Sequence, residues 1–479
     1  MQHQLDKVRE RASGCGIVPQ SNLHLANDAL HQRLRAISNA RAFSDWKAPG
    51  QPWHGGTEPG EALMASADGT HRASGLGMLG HGWDFGARWW PVMLLGLLTV
   101  GAYGFSFYSF GVFLEPISAD TGWSTTGLSG AFALGSVVGG AGGVIAGRIF
   151  DARGPRPVFI VGLAVGSTLM ILAANASSLL AFALRWGAGA GAVSASLFYN
   201  ITMATTSRLY PHDRAKAFTV LTFVGGFALP IFSPLAGFAI GEWGWRDAMR
   251  VLVGIQAVLA VPAIILVSAN RPASSPEQAP DEEEGYASLR DALRSREVIQ
   301  MSAMLAFSIA AVSAIQVHHV AAFRGAGLSL GAAATLAGIR GLISLPGRGA
   351  LAIIQGRLGT AGATLTIYVL MAAGALLLVP AGHIAFVWVF VIITGFAFGT
   401  VVPLQGLYSA EVLGNRRLGT LLGVQAVVLT LAGASGPLLI GFIADASDSY
   451  RPALVLMAAL HAVAILLLLT RPRRRVSQV

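Results

Sequence analysis

Two arginines, Arg340 and Arg348, stand eight residues apart in the apolar stretch 330–354. A charged guanidinium at mid-bilayer costs at least ~2.5–3.5 kcal/mol and is rarely left facing lipid. The group is permanently charged, and its planar fork of donors fits a carboxylate. Eight helical residues turn through ~80° and rise ~12 Å, so both side chains can line one cavity at different depths. Each has a plainer alternative. Arg348, in the last third of its stretch, can snorkel to the interface, and Arg340 can bond neighbouring carbonyls. A second pair, His318 and His319, ends another apolar stretch. Imidazole titrates near neutral pH and could carry a coupled proton, or it could be a hydrogen-bonded structural group near the membrane face.

What is missing from the apolar stretches also argues. Their interiors hold no Asp or Glu; Glu115 and Glu411 lie near stretch ends. A cavity built from them is electropositive and suits an anion, whereas a metal or organic-cation pump would need carboxylates there. Proton coupling must then run through histidine or the substrate's own carboxyl group. The single cysteine, Cys15, excludes a disulfide framework or a thiolate metal site within one chain. No H-E-x-x-H, partnered G-x-S-x-G or paired intramembrane carboxylates are present, which argues against an enzyme and implies no cofactor or metal.

The elements that must position these groups are membrane helices. Charged residues are 12% and apolar residues 53% of the 479, against ~25% charged in soluble domains. The 59 glycines suit close helix contacts in lipid. Twelve stretches are long enough to cross a bilayer, which takes ~20 residues: 89–114, 125–147, 157–175, 179–206, 214–240, 247–269, 298–322, 330–354, 361–380, 384–410, 417–443 and 452–470. The expected fold is an all-α membrane protein of twelve transmembrane helices in two six-helix pseudo-symmetric halves, 88–269 and 298–470.

Between the halves, the linker 270–297 carries three prolines, the acidic run at 281–284 and a short amphipathic helix at 286–295. Residues 1–87 are polar and read as a disordered cytoplasmic extension, or as absent if translation starts at Met64 or Met78. Residues 471–479 form a basic cytoplasmic tail. Alternate links carry most of the Arg and Lys, among them Arg148, Arg153, Arg156, Arg208, Arg214 and Arg357, whereas the others hold Arg246, Arg250, Arg324 and Arg451. The positive-inside rule places the first set and both termini in the cytoplasm, with the chain in the inner (plasma) membrane. Topology thus explains the net charge of +9, and no nucleic-acid partner is implied.

The halves are related in sequence. Gly143, Gly147 and Asp151-Ala152-Arg153-Gly154 answer Arg348, Ala352 and Gly356-Arg357-Leu358-Gly359 at an offset of 205, and Ser233-Pro234-Leu235 with Gly237 answers Gly436-Pro437-Leu438 with Gly441 at 203. Duplicated halves place a binding site at their interface near the midplane.

At these residues the chain resembles the major facilitator superfamily. Gly147, Asp151 and Gly154 match its G-x-x-x-D-R-x-G-R loop, with Arg153 and Arg156 each one place late and Ala152 for the usual Arg. The resemblance implies that Asp151 belongs to a gating ion-pair cluster. Within the superfamily the chain is most similar to the monocarboxylate-transporter and oxalate/formate-exchanger group. The similarity rests on Phe110-Gly111-Val112-Phe113-Leu114-Glu115-Pro116, Gly122-Trp123-Ser124, Val317-His318 with Gly327-Leu328-Ser329, and Gly347-Arg348. It departs in lacking a lysine in the first span and in carrying Ser344 where that group has an aspartate.

The resemblance implies Arg348 as the membrane arginine, His318 as the proton-coupling candidate, and Tyr108 and Gln425 as cavity groups, because spans one and eleven face the path in this family. Arg185, opening Arg185-Trp186-Gly187-Ala188-Gly189, resembles the family's R-x-x-x-G motif and is either a substrate or proton contact or structural. The expected function is alternating-access transport of a small mono- or dicarboxylate, by proton symport or anion exchange, in a monomer in the lipid bilayer. The alternatives are transport of a non-carboxylate solute such as a sugar or drug, with Arg348 structural, and a transporter-like sensor.

Overall fold

The computed structural model describes residues 81–266, 288–380, 384–414 and 418–471. The expectations for residues 1–80, for Cys15, for the prolines and acidic run of the linker and for the tail beyond Arg471 lie outside the described residues. In chain order the helices are α1 (His81–Tyr103), a π-helical turn (Gly104–Tyr108), α2 (Phe110–Thr121), α3 (Thr125–Arg153), α4 (Pro155–Ala174), α5 (Leu179–Leu197), α6 (Tyr199–Leu209), α7 (Arg214–Gly225) and α8 (Ala228–Leu266). After the linker come α9 (Leu289–Arg294), α10 (Arg296–Gly325), α11 (Leu330–Leu377), α12 (Ile384–Leu413), α13 (Leu418–Ser447) and α14 (Tyr450–Leu469).

Nine helical runs among the described residues are long and apolar enough to cross a membrane. Two are too long for one crossing: 214–266 has 53 residues and 330–377 has 48, or ~80 and ~70 Å against a hydrocarbon core of ~30 Å. Each is interrupted by a glycine in the positive-φ region, Gly244 and Gly359. Divided there, and with α5–α6 added, the described residues accommodate the twelve expected crossings.

The repeat is written in the backbone as well as in the sequence. Gly154 (φ +79°, ψ −175°) and Gly359 (φ +67°, ψ +170°) occupy the same glycine-favouring conformation 205 residues apart. At that offset Gly122 and Gly327 both have positive φ. Two residues further on, the Ser124 and Ser329 hydroxyls accept the backbone N–H groups of Gly127 and Ala332, capping α3 and α11. The same turn chemistry thus starts and ends the second helix of each half.

The halves meet along α2 with α10, α3 with α13, and α8 with α11. Small residues let these backbones approach without a hydrophobic drive from lipid. A Cβ on Gly111 would sit 2.5 Å from the Val317 carbonyl oxygen, so only glycine fits where α2 crosses α10.

Candidate functional site

Two breaks in the helices of the first half open onto one cavity of about 750 Å³ between the halves, and a third lies one turn beyond the wall residue Thr222. The first is the π-turn, where Ser109 donates from both its N–H and its hydroxyl to the Gly104 carbonyl, at 2.9 and 2.8 Å. The extra residue in the turn places Ser106, Phe107 and Tyr108 on the cavity wall. The second is Phe198, extended (φ −82°, ψ 179°) between α5 and α6, with Phe198, Tyr199 and Asn200 on the wall. The third is the end of α7 at Gly226, four residues ahead of Pro230, which cannot donate to a helical bond. Irregular backbone at membrane depth is tolerated where it lines a cavity, and π-bulges gather at functional sites. None of the three breaks was legible as a break in the sequence, which reads spans 89–114, 179–206 and 214–240 as continuous.

Among the described residues the wall receives one formally charged side chain, Arg348 of α11. Its Nη1 donates to the Thr222 carbonyl oxygen of α7 at 2.9 Å, joining the halves. Tyr199 lies beside the same guanidinium. The backbone there is held by α12: a Cβ on Gly399 would sit 2.0 Å from the Ser344 carbonyl oxygen. Arg340 does not share the wall, contrary to the expectation that both arginines could line the cavity. Two turns away, it is fully buried behind it. Its Nε donates to Thr394 Oγ1 at 3.0 Å and its Nη1 to Gln316 Oε1 at 3.3 Å. Its guanidinium lies 4.9 Å from the Phe398 ring centroid, and Nη2 has no hydrogen-bond partner among the described residues. Gln316 and Phe398 are themselves wall residues, so the Arg340 charge stands one side chain behind the surface.

Of the other expected groups, Tyr108 lines the cavity and Gln425, His318 and Arg185 do not. Gln425 is buried, with its Nε2 unpartnered among the described residues. Arg185 donates to the Leu172 carbonyl oxygen at 3.0 Å, satisfying the last turn of α4. His318 Nε2 lies 2.8 Å from the Pro437 carbonyl oxygen and 3.3 Å from Ser129 Oγ, while Nδ1 is 3.5 Å from the Tyr450 hydroxyl. These contacts belong to a seam between the halves, away from the cavity.

That seam closes one end of the bundle. Arg324 of α10 forks onto Glu115 of α2, with Nε–Oε2 2.7 Å and Nη2–Oε1 3.0 Å. Asp445 at the end of α13 accepts the backbone N–H groups of Thr125 and Thr126 at 3.0 and 2.7 Å, and the Thr126 hydroxyl at 2.6 Å. A carboxylate of the second half thus sits on the positive N-terminus of α3 in the first. At the other, arginine-rich end, Arg208 Nη2 pairs with Asp151 Oδ1 at 2.9 Å, and its guanidinium lies 4.0 Å from the Phe150 ring centroid. The three pairs at that end involving Asp151 and Asp213 stay within the first half. Arg208 is the partner the sequence did not name. Of the loop glycines, Gly154 needs its positive φ, whereas Gly147 faces open space. Arg153 and Arg156 are exposed beside the pair.

Two related halves around a cavity closed at one end suit a solute carrier, and comparison with known proteins decides the family. The sequence model of the Major Facilitator Superfamily matches residues 96–437. The chain belongs to the major facilitator superfamily. This superfamily member is 25% identical over 372 residues to Monocarboxylate transporter 13 of Rattus norvegicus, covering 76% of this chain and 84% of the rat protein. Multidrug resistance protein MdtL of Klebsiella pneumoniae subsp. pneumoniae is 27% identical over 190 residues, 39% of this chain and 47% of that protein. Among solved structures, a D-xylose-proton symporter matches with a TM-score of 0.63 at 16% identity, over 80% of this chain and 98% of its own. The nucleoside transporter NupG matches with a TM-score of 0.64 at 12% identity, over 80% and 98%. Likeness at that identity speaks for the fold. The protein is a multi-pass membrane transporter and not an enzyme.

Proposed function

We propose that this transporter moves a small organic anion whose carboxylate is held by Arg348. The observation that carries the reading is that Arg348 is the one formally charged side chain among the wall residues and spans the contact between the halves. Arg340 adds positive potential from behind the wall. A carboxylate taking two donors from Arg348 competes for the guanidinium that now holds the Thr222 carbonyl. Binding is thereby linked to the contact between α7 and α11, and rocking of one half on the other around a midplane site follows. With the arginine-rich end cytoplasmic by the positive-inside rule, the sealed end faces outward and the cavity opens inward. Both termini then lie in the cytoplasm. His318 acts in the outer seam, so coupled protons travel through the seam or on the substrate carboxyl.

The Thr222 bond also favours a second reading, in which Arg348 is a structural tether and the solute is uncharged. Uptake into proteoliposomes separates the two. Carboxylate uptake lost in Arg348→Ala, with the protein still inserted, is the expected result. Carboxylate uptake of unchanged affinity in that variant would overturn the anion reading.

A further inference from the structure

The cavity wall is aromatic well beyond what a two- or three-carbon acid needs. Six rings come from the first half: Tyr103, Phe107, Tyr108, Phe132, Phe198 and Tyr199. They form a continuous surface. Tyr103 stacks on Phe198 at 3.6 Å between centroids and lies 5.1 Å from Tyr199. Phe107 is 5.2 Å from Tyr108 and 5.4 Å from Phe132. Phe398 of α12 closes the surface from the second half, edge-on to Tyr108 at 6.4 Å. The π-turn and the extended Phe198 are the devices that present these rings. Each costs regular helix bonding, which a structural core packed between straight helices would not require.

From this surface we infer that the site takes an aromatic monocarboxylate, with its carboxylate on Arg348 and its ring on the wall of the first half. The inference rests on the anion reading above and narrows it. Aromatic pairs gain from offset or edge contacts beyond the area they bury. A cavity of about 750 Å³ falls among sites that enclose ligands larger than a short acid. A second carboxylate would find no second charged donor on the wall, since Arg340 is covered by Gln316 and Phe398. A buried unpaired carboxylate is costly, so dicarboxylates are disfavoured. Such a ligand would also bridge the halves, with its anion on α11 and its ring on the first-half helices, as alternating access around one site requires.

The test is calorimetric binding to the purified full chain of benzoate, 3-phenylpropionate, acetate, lactate, succinate and the uncharged 3-phenylpropionamide. It is repeated with Arg348→Ala and with Phe107→Leu, which keeps an apolar side chain on the wall. The expected result is that an aromatic acid binds at least tenfold more tightly than the short acids and succinate, and that Arg348→Ala abolishes this binding. Phe107→Leu should weaken the aromatic acids by about two- to tenfold, the worth of one aromatic pair, and by more than it weakens acetate or lactate. Short acids or succinate binding as tightly as the aromatic acids, with the loss in Arg348→Ala kept, would overturn the inference and leave the anion reading standing. The amide binding as tightly as the acid, in wild type and Arg348→Ala alike, would overturn both. Binding of none of the six at millimolar concentration would overturn the aromatic assignment as well.

Discussion

Arg348 and Thr222 lie on different halves of the transporter and are joined by one hydrogen bond, Nη1 to carbonyl oxygen, at 2.9 Å. The same carbonyl accepts the Gly226 N–H at 3.0 Å, where α7 ends. The break in α7 and the membrane arginine are therefore parts of one contact. The guanidinium also lies beside Tyr199 on the cavity wall, and a substrate oxygen can replace the Thr222 carbonyl as its partner.

Arg348→Lys tests whether the fork matters or only its charge. An ammonium keeps the charge but cannot offer two parallel donors. Hydrogen bonds to charged groups are worth ~1.5–3 kcal/mol, so carboxylate affinity should fall by roughly ten- to a hundredfold. Calorimetric titration of wild type and variant checks it. Unchanged affinity would mean that Arg348 acts only as a point charge.

Arg340→Met separates a field effect from a structural one. Arg340 is hydrogen-bonded to the neutral Thr394 and Gln316, so an apolar side chain of similar size removes the desolvation cost of a buried charge without leaving an opposite charge unpaired. The ligand-free variant should therefore melt at or above the wild-type temperature. A unit charge ~12 Å from a carboxylate at an effective dielectric of ~20 is worth ~1.4 kcal/mol, so anion affinity should drop by about tenfold. A variant that melts lower and binds the anion as before would show that Arg340 only braces α11 and α12 through Thr394 and Gln316.

The helices, the repeat and the loop at Gly147–Arg156 were legible because they depend on composition, length and turn chemistry, which a linear pattern records. The same holds for Arg348, whose cost in lipid marks it wherever it points. What separates Arg348 from Arg340 is a rotation of ~80° about α11 and the covering residues Gln316 and Phe398, which come from α10 and α12. No pattern within one helix reports that. The π-turn is hidden for a related reason: Gly104 permits it, but the Phe232 ring, which a Cβ there would approach to 2.2 Å, fixes it from another helix. For His318 the sequence left proton coupling and a hydrogen-bonded structural role both open, and the neighbours that bear on the choice, Pro437, Ser129 and Tyr450, come from other helices across the seam.

Asp445→Asn should loosen the sealed end. The carboxylate accepts two backbone N–H groups and a hydroxyl at the start of α3, and a negative charge at a helix N-terminus is worth ~0.3–2 kcal/mol. The sealed state should lose about two- to thirtyfold in relative population. A cysteine placed at Gly130, where a Cβ meets only the Leu438 side chain at 3.6 Å, reports this in a Cys15→Ser background. Its labelling by a membrane-impermeant thiol reagent should quicken by that factor in Asp445→Asn. Equal labelling rates would mean that the other seam contacts, the Arg324–Glu115 pair and the His318 bonds, hold it without Asp445.

The two loop glycines should behave differently, and the difference reads out the transport cycle. Gly154 has φ +79° and ψ −175°, a region nearly closed to other residues, so Gly154→Ala should destabilise the protein by ~1–3 kcal/mol. Gly147 is helical with nothing within 4 Å of an added Cβ, so Gly147→Ala should be neutral or stabilising by up to ~1 kcal/mol here. In the proposed cycle the arginine-rich end of the bundle is the open one in this conformation, and alternating access requires it to close. If the second half comes against α3 at Gly147 when it does, Gly147→Ala will slow transport while the melting temperature holds or rises. Paired melting and uptake measurements on both variants check this. Wild-type turnover in Gly147→Ala would show that the closing surface passes elsewhere, leaving the Asp151–Arg208 pair as that end's contribution to the cycle.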